Sequence, residues 1–232
     1  MCDCMIGLGE LIADIKKSNQ WFSEHKRNKE VHMSGVAICG FKYRFEQENK
    51  IIADYSTKYI FGSAVEKYLY EQIKRRDNSY IAHFGVSLLT RYGFTIEGST
   101  DVCSLKENHI IEIKTSGSDK YIDIYIRQLK AYMIAYLKTY DRLPVGSLWL
   151  YNSITGAVSE SQITISDKDI AEFDKNIVAY SDGVYIEGIE NSLCGFCKNL
   201  ECPANKMPVM IRKKYLDTCN ESSGNNEVQE AI

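Results

Sequence analysis

The sequence predicts an α/β fold, and three observations favour this class. Of the 232 residues, 44% are hydrophobic and 25% are charged, which is typical of a globular protein with room for one large core. Apolar residues recur at helical spacing in some stretches and alternate with polar residues in others, so helices and strands share the chain. Only three prolines and fifteen glycines are present, and we find no internal repeat, which excludes collagen-like and low-complexity chains.

Helical periodicity predicts four helices. They are 3–17, a helix that begins near Gly62, 121–140, and a helix that begins at Ser166. In the last of these, the Ser166 hydroxyl can cap the helix, and Asp169 three residues later completes a capping box. Residues 18–34 are polar and basic, and we expect them to be irregular.

Five stretches have the composition of β-strands. They lie around Ser87–Ile96, Asp101–Leu105, His109–Thr115, Val145–Tyr151 and Ser161–Ile165. Lys106, Glu107 and Asn108 stand between the second and third stretches, and they predict the turn of a hairpin.

No linker divides the chain, so we predict one domain over residues 1–216 and a polar, disordered tail over residues 217–232. The tail holds four acidic and no basic residues, so the net charge of −3 for the whole chain corresponds to +1 for residues 1–216. Such a domain can still present a basic groove to nucleic acid. No apolar run is long enough to span a membrane and the first residues do not resemble a signal peptide, so we expect a soluble, cytoplasmic protein.

The predicted hairpin brings two carboxylates close to one amine. Glu112 and Lys114 point to the same face of their strand, and Asp101 can approach Glu112 from the neighbouring strand. Two carboxylates at close range favour a divalent cation such as Mg²⁺ or Mn²⁺, which is the chemistry of phosphodiester cleavage. Lys114 could position or help deprotonate a water, or offset charge on a phosphate. The alternative is an exposed hairpin, but the apolar residues around Glu112 and Lys114 favour an internal strand.

The helix predicted over 121–140 adds a second polar pair. Gln128 and Tyr132 are four residues apart, so they lie on the same helix face. An amide and a hydroxyl there could hydrogen-bond a phosphate or orient the lysine. Tyr132 alone would be assigned to the core, but Gln128 interrupts an otherwise apolar face.

Eight cysteines in a reducing compartment are not expected to form disulfides, and four of them are candidate metal ligands. Cys194, Cys197 and Cys202 fall within nine residues, and a proline follows the last of them. Cys39 is the best candidate for a fourth ligand. Four thiolates suit either a tetrahedral zinc site or a [4Fe–4S] cluster, and the spacing alone leaves both open.

Taken in their order along residues 30–205, these motifs resemble the CRISPR-associated Cas-four nucleases, a RecB-type branch of the PD-(D/E)XK superfamily. The resemblance implies a restriction-endonuclease-like core, that is, a central mixed β-sheet flanked by helices. It also implies divalent-metal DNA cleavage and an iron–sulfur cluster that joins the N-terminal segment, near 30–46, to the C-terminal segment, near 190–205. Each motif alone is weak, and their common order is the specific feature.

The resemblance also assigns roles to individual residues. Asp101 and Glu112 would be metal ligands, and Lys114 would be the catalytic lysine. Gln128 and Tyr132 would be the accessory pair. The [4Fe–4S] cluster would be held by Cys39, Cys194, Cys197 and Cys202.

One departure from the family pattern concerns the metal site. The family has a histidine ligand in the helix before the hairpin, and Val65 stands at that place in this sequence. Glu66 is one candidate to replace it, and the backbone carbonyl of Ile113 is another. His83 and His109 are further candidates, although each is more often an ordinary surface or turn histidine.

The leading prediction is therefore a metal-dependent DNA exonuclease acting on single-stranded DNA, with endonuclease capacity and oligomeric state left open. In the resembling family's setting it would trim DNA for CRISPR spacer acquisition, with the CRISPR integrase proteins as partners. One alternative is a catalytically weak or inactive iron–sulfur module that binds DNA or docks a partner, which the valine at position 65 motivates. Another is a stand-alone recombination or virus-borne nuclease.

Overall fold

The structure is a computed structural model, and it describes residues 31–49, residue 51 and residues 57–208. The predicted helix 3–17, residues 18–30 of the predicted irregular stretch and the predicted disordered tail 217–232 lie outside the described residues. Among the described helices, none is both long and apolar enough to cross a membrane.

In the part of the chain that the structure describes, six strands form one mixed β-sheet. They are β1 (Val31–His32), β2 (Tyr80–Leu89), β3 (Thr95–Ser104), β4 (His109–Ser116), β5 (Val145–Asn152) and β6 (Val158–Ile163). The sheet order is β1-β3-β4-β5-β6, and β2 pairs antiparallel with β3 along its length. The other edge of β3 is shared: β1 pairs parallel with it at Ile96 and Glu97, and β4 pairs antiparallel with it only from Val102 to Ser104. Beyond that point β4 continues beside β5, in parallel.

Helices cover both faces of this sheet. They are α1 (Met33–Glu48), α2 (Thr57–Arg76), α3 (Ile122–Tyr140) and α4 (Asp167–Asp182), with short 3₁₀ helices at Asp119–Tyr121 and Ser192–Phe196. Leu129 and Met133 of α3 pack on Ile110 of β4, while Ile111 contacts the opposite layer, where α2 contributes Leu69. Helices α1 and α4 pack beside α3 around a third apolar cluster. Successive side chains of β4 point to opposite faces of the sheet, so Ile110 packs on α3 and Ile111 packs on α2.

Most predicted elements are confirmed. The helix predicted near Gly62 corresponds to α2, which begins earlier, at Thr57. The helix predicted over 121–140 is α3, and the strand around His109–Thr115 is β4. The Ser166 side chain accepts a hydrogen bond from the Asp169 backbone N–H, and the Asp169 side chain accepts one from the Ser166 backbone N–H, so the predicted capping box starts α4.

Three predictions were wrong. A strand over Ser87–Ile96 does not form, because the chain turns between Leu89 and Thr95, and the Thr90 side chain donates to the Phe94 carbonyl to close that turn. The last strand is β6, Val158–Ile163, rather than 161–165, since its register follows β5. Residues 31–34 are not irregular: they form β1 and the start of α1, a helix that the sequence did not predict.

The sequence pattern does not predict helix α1 because this helix is interrupted. Cys39 has φ −166° and ψ 103°, values of extended rather than helical backbone, so two helical pieces meet at this residue. Apolar periodicity does not run through such a break. The break also turns the Cys39 side chain out of the helical pattern, toward the C-terminal cysteine segment described below.

Candidate functional site

The site lies where β3 and β4 separate. Their last paired residues are Val102 and Ile111, and the next residues along each strand are Asp101 and Glu112. The Ile113 backbone N–H donates a 2.6 Å hydrogen bond to Oδ2 of Asp101, so a carboxylate replaces the strand pairing at this point. The separation therefore leaves room for side chains between the two strands.

Glu112 and Lys114 occupy that space from the same face of β4, as the strand periodicity predicted. The Lys114 ammonium group is paired with Oε1 of Glu112 and lies 3.7 Å from Oδ2 of Asp101. Glu112 is fully buried, and its other oxygen, Oε2, has no hydrogen-bond partner among the described residues. A buried carboxylate oxygen without a partner is costly, so this position favours a cation or a proton.

The charges of this cluster follow from its burial. Burial raises the pKa of Glu112 to about 8; Lys114 opposes that shift and Asp101 reinforces it. For Lys114, burial alone would lower the pKa, but Glu112 and Asp101 outweigh it and hold the pKa above its ordinary value. The amine therefore stays protonated at neutral pH, and it acts as a fixed positive charge between two carboxyl groups.

Gln128 and Tyr132 meet beside this cluster. The Gln128 side-chain amide donates a 2.9 Å hydrogen bond to the Tyr132 hydroxyl. Tyr132 is buried, and burial followed by the negative charge of Glu112 raises its pKa, so the phenol stays neutral. Tyr132 is thus both a core residue and a neighbour of the charged cluster.

A glycine in β3 makes room for the tyrosine ring. A Cβ atom at Gly98 would lie 2.7 Å from Cε1 of Tyr132 and 2.9 Å from Cβ of Met33. The sequence contained this glycine three residues before Asp101, but its purpose follows only from the packing of α3 and α1 on β3.

Of the residues named as candidates for the histidine position that the resemblance implies, Glu66 and His83 lie at the edge of the cluster. Burial, followed by the charge of Asp101, raises the pKa of Glu66, whose carboxylate is 3.8 Å from Nδ1 of His83. His83 lies between Ala82 and Phe84 in β2, opposite Asp101 in the β2–β3 register. It has a positive φ of 50°, which is rare for a residue with a side chain.

His109 does not belong to this site. Its ring nitrogens contact the Tyr80 hydroxyl at 3.0 Å and the Ser147 hydroxyl at 2.9 Å. Ser147 in turn donates to Glu160. His109 is therefore part of a polar network inside the sheet and is not placed to serve as a ligand beside Asp101.

The four predicted cysteine ligands line a single cavity. Cys39 reaches it from the break in α1, while Cys194, Cys197 and Cys202 reach it from the segment that follows α4. Backbone N–H groups point at the sulfurs: Lys42 donates to Cys39 and Asn191 donates to Cys194, each at 3.4 Å. Donors of this kind stabilise thiolate ligands.

Further backbone hydrogen bonds reach Cys197 and Cys202, but burial still raises the pKa of both thiols. Burial also raises the pKa of Cys39 to about 11, and the other three cysteines add to that shift. Cys39, Cys197 and Cys202 therefore favour the neutral thiol unless a metal removes their protons.

Helix α3 connects the cysteine cavity to the charged cluster. Arg127 donates to the carbonyls of Ile189 and Glu190, and Asp123 accepts two hydrogen bonds from Ser192 at 3.0 and 2.7 Å. Gln128 follows Arg127 directly in the sequence. One rigid helix thus carries contacts to both places.

Within the described ranges, no three or more His, Cys, Asp or Glu side chains are arranged to hold a single metal ion. Mg²⁺ does not require such a group, because it is commonly bound by one or two carboxylates and several waters. Asp101 and Glu112, with the unpartnered Oε2 atom, fit that mode. The four thiols line a cavity without closing on one point, and their chemistry suits a metal cluster.

Comparison with known proteins identifies the fold. No protein-family model and no curated protein matches the chain. The solved structure of SSO0001 superposes with a TM-score of 0.66 at 20% sequence identity, covering 86% of this chain and 99% of that one. A protein from Eubacterium rectale that is assigned as an exonuclease superposes with a TM-score of 0.50 at 13% identity, covering 85% and 97%. The chain therefore shares its α/β fold, a mixed central sheet flanked by helices, with these solved structures.

A third solved structure is the alkaline exonuclease LHK-Exo from Laribacter hongkongensis, in complex with dAMP. Its TM-score is 0.49 at 17% identity, and the superposition covers 70% of this chain and 90% of that one. The fold class predicted from the sequence, a mixed sheet flanked by helices, is confirmed by the observed topology.

Sequence reasoning named the residues at the β3–β4 separation and the four cysteines, and missed two residues that hold the cysteine segment in place. Arg127 donates to the carbonyls of Ile189 and Glu190, and the Asn191 side-chain amide donates to the Ile38 carbonyl at 2.8 Å and ties the cysteine segment to the break in α1. Polar residues beside a predicted ligand are the only signal that the sequence offered for them.

Proposed function

We propose that this protein is a divalent-metal-dependent DNA nuclease. The observation that carries the proposal is the meeting of Asp101, Glu112 and Lys114 at the β3–β4 separation, with one buried Glu112 oxygen left without a partner among the described residues. A bound cation would supply that partner. The likeness in fold to a protein assigned as an exonuclease supports the same reading.

The cation in this proposal is Mg²⁺ or Mn²⁺. Asp101 and Glu112 would hold it, and the backbone carbonyl of Ile113 and the carboxylate of Glu66 are the proposed further ligands. When bound, such an ion polarises a phosphate oxygen and lowers the pKa of a coordinated water. Both are requirements of phosphodiester hydrolysis.

The role proposed for Lys114 is electrostatic. Its two carboxylate neighbours keep the amine protonated, so a role as proton acceptor is disfavoured. An ammonium group at this position instead stabilises the negative charge that develops on the scissile phosphate. Gln128 and Tyr132 form a neutral hydrogen-bonded pair, which suits orientation of a phosphate or of Lys114 without added charge.

The proposed substrate is single-stranded DNA, cut from its ends. The order of the sequence motifs supports trimming of DNA for CRISPR spacer acquisition, with integrase proteins as partners. The fold is equally compatible with a stand-alone recombination or virus-borne nuclease. Co-purification with tagged integrase proteins from the source cell would favour the first setting, and their absence from the purified material would favour the second.

We also propose that Cys39, Cys194, Cys197 and Cys202 hold a [4Fe–4S] cluster. Support comes from the four thiols around one cavity, the N–H donors aimed at their sulfurs, and the motif resemblance. Such a cluster would join α1 to the C-terminal segment. Protein purified without oxygen should be brown and absorb near 400 nm as iron–sulfur proteins in general do, with about four irons per chain; stoichiometric zinc in a colourless protein would refute the cluster.

The nuclease proposal is tested by cleavage of a labelled single strand with Mg²⁺, Mn²⁺ or Co²⁺. We expect Glu112→Gln to reduce the cleavage rate by at least 100-fold. The matched control is Glu107→Gln, an exposed glutamate of the β3–β4 turn, which should cleave like wild type. Wild-type protein that binds the strand and cuts nothing with any of the three ions would refute the nuclease. The alternative that Val65 motivates, a DNA-binding or docking module, would then replace it.

A further inference from the structure

A small aromatic and cationic cluster lies directly after the strand that carries Glu112 and Lys114. Lys120 and Tyr121 belong to the 3₁₀ helix that follows β4, and Phe196 belongs to the 3₁₀ helix of the cysteine segment. The Lys120 ammonium nitrogen is 4.8 Å from the centre of the Phe196 ring and 5.4 Å from that of Tyr121. The two rings meet edge to face, with centroids 6.5 Å apart.

This cluster is held in place but not covered. Ser192, at the start of the second 3₁₀ helix, donates to Asp123 at the start of α3, so the two short helices are tied together. Phe196 is nevertheless 48% exposed, and Lys120 is exposed as well. Among the described residues, Lys120 is the one cation that lies over two rings. An exposed aromatic ring can stack on a planar group, and the ammonium group beside it can pair with an anion. This surface therefore suits a partner that is both planar and anionic.

We propose that Phe196 stacks a nucleobase of single-stranded DNA, that Tyr121 supports the Phe196 ring edge to face, and that Lys120 contacts the phosphate of the bound nucleotide. This inference rests on the proposed nuclease function, because it assumes a DNA strand at Lys114. Single-strand binders combine these two features, aromatic rings for any base and a basic group along the backbone.

The position of the cluster agrees with this partner. Lys120 is six positions after Lys114, and a fully extended chain advances by at most 3.6 Å per residue, so their Cα atoms lie within about 22 Å. A strand whose phosphate lies at the β3–β4 separation would therefore reach the cluster within a few nucleotides. A duplex offers no unstacked base at that distance, so the surface favours single-stranded over double-stranded DNA.

The test is binding of a fluorescent 12-nucleotide thymidine strand, measured by anisotropy without divalent cations so that cleavage plays no part. Phe196→Ala should weaken binding about 5- to 150-fold, the range for losing one aromatic–base stack. Because Phe196 lies between two cysteines, Phe196→Trp is the folding control, and it should restore the affinity.

A strand of the same length without bases gives the sharper measurement. Phe196→Ala should have no effect on this abasic strand, since no base remains to be stacked. Lys120→Gln should weaken both strands, and should reduce the slope of log affinity against log salt by about 0.7, the value for one phosphate contact on a single strand.

The matched control is Tyr92→Ala. Tyr92 is also an exposed ring beside a cation, Arg91 at 5.1 Å, but it lies near Lys138 at the opposite end of α3. Three results would each overturn the stacking site. Tyr92→Ala could weaken binding as much as Phe196→Ala does, Phe196→Ala could weaken binding of the abasic strand as much as that of the thymidine strand, or the wild type could fail to bind DNA. A wild type that cuts DNA with an unaffected Phe196→Ala variant keeps the nuclease and refutes the stacking site. Base-dependent binding through Phe196 without any cleavage keeps the stacking site and refutes the nuclease.

Discussion

Oδ2 of Asp101 accepts a hydrogen bond from the backbone N–H of Ile113 at 2.6 Å, just beyond the point where β3 and β4 stop pairing. The same carboxylate oxygen is 3.7 Å from the Lys114 ammonium group. Asp101 therefore has a structural contact and an electrostatic one, and the two can be separated by substitution.

Asp101→Asn should separate them. Asparagine keeps an oxygen that can accept from Ile113, so the free energy of unfolding should stay within about 1 kcal/mol of wild type, while the lost charge should reduce cleavage by at least 100-fold. Asp101→Ala loses both contacts and should also cost about 2 kcal/mol of stability in urea unfolding. An Asp101→Asn variant that cleaves at the wild-type rate would show that the carboxylate is not a metal ligand.

Glu112 should make the stability of the metal-free protein depend on pH. Its pKa is raised to about 8 in the folded state, so the folded protein holds a proton that the unfolded chain releases near pH 4.5. The stability from this group is full below that value and is lost as the pH rises toward 8. Unfolding between pH 5 and pH 8.5 should show this decline, and Glu112→Gln should flatten it.

A divalent cation should restore the folding stability that is lost as the pH rises toward 8. At 100 times its dissociation constant, Mn²⁺ should stabilise the folded protein by about 2.7 kcal/mol. The stabilisation should be larger at pH 8 than at pH 6, because cation and proton compete for Glu112. Thermal unfolding with and without Mn²⁺ measures it. Glu107→Gln should keep the full metal effect, and a Glu112→Gln variant that also keeps it would place the cation elsewhere.

Glu66 should affect metal affinity more than His109 does. If Glu66 occupies the place of the missing histidine ligand, Glu66→Ala should raise the Mn²⁺ concentration for half-maximal cleavage about 10- to 100-fold. His83→Ala should have a smaller effect in the same direction, since His83 contacts Glu66. His109→Gln is the control, because its ring is bonded to Tyr80 and Ser147. Equal metal requirements in all three variants would exclude Glu66 as a ligand.

Gly40→Ala should destabilise the protein strongly. A Cβ atom there would clash with the Asn176 carbonyl of α4, and the Gly40 backbone N–H also donates to the Asn176 side chain at 3.1 Å. We expect a loss of about 3 kcal/mol in the free energy of unfolding, and a lower metal content because Cys39 is adjacent. Gly85→Ala, with open space around its Cβ, is the control and should change stability by less than 1 kcal/mol. A stable Gly40→Ala protein would mean that α1 does not pack this closely on α4.

Local patterns in the sequence were enough for much of the fold. Helix α3 was predicted because its apolar residues keep helical spacing over nineteen positions, and the start of α4 was predicted because a capping box is complete within four residues. Strand β4 was predicted from its β-rich composition. In each case the interactions that decide the structure lie between residues close in sequence.

The elements that the sequence did not predict depend on contacts between residues that are not close in the sequence or on a turn inside an apolar stretch. The turn between β2 and β3 interrupts an apparently continuous strand, and the pairing of Leu89 with Thr95 is what defines it. Helix α1 was missed because its break at Cys39 is stabilised by distant groups, among them Asn191, whose amide holds the Ile38 carbonyl. No local pattern encodes a contact over 150 residues.

The sequence by itself determined the side chains on which the proposed chemistry rests: the carboxylates Asp101 and Glu112, the amine of Lys114 and four cysteines at metal-binding spacing. Alternation along one strand was sufficient to place Glu112 and Lys114 on one face. Only the tertiary structure decided that Glu112 is fully buried, with one oxygen unpartnered among the described residues, that Lys114 stays charged, and that Lys120 lies over the Phe196 ring. The reason is physical, since burial and charge at a site are set by every segment packed against it, and these segments are far apart in the chain.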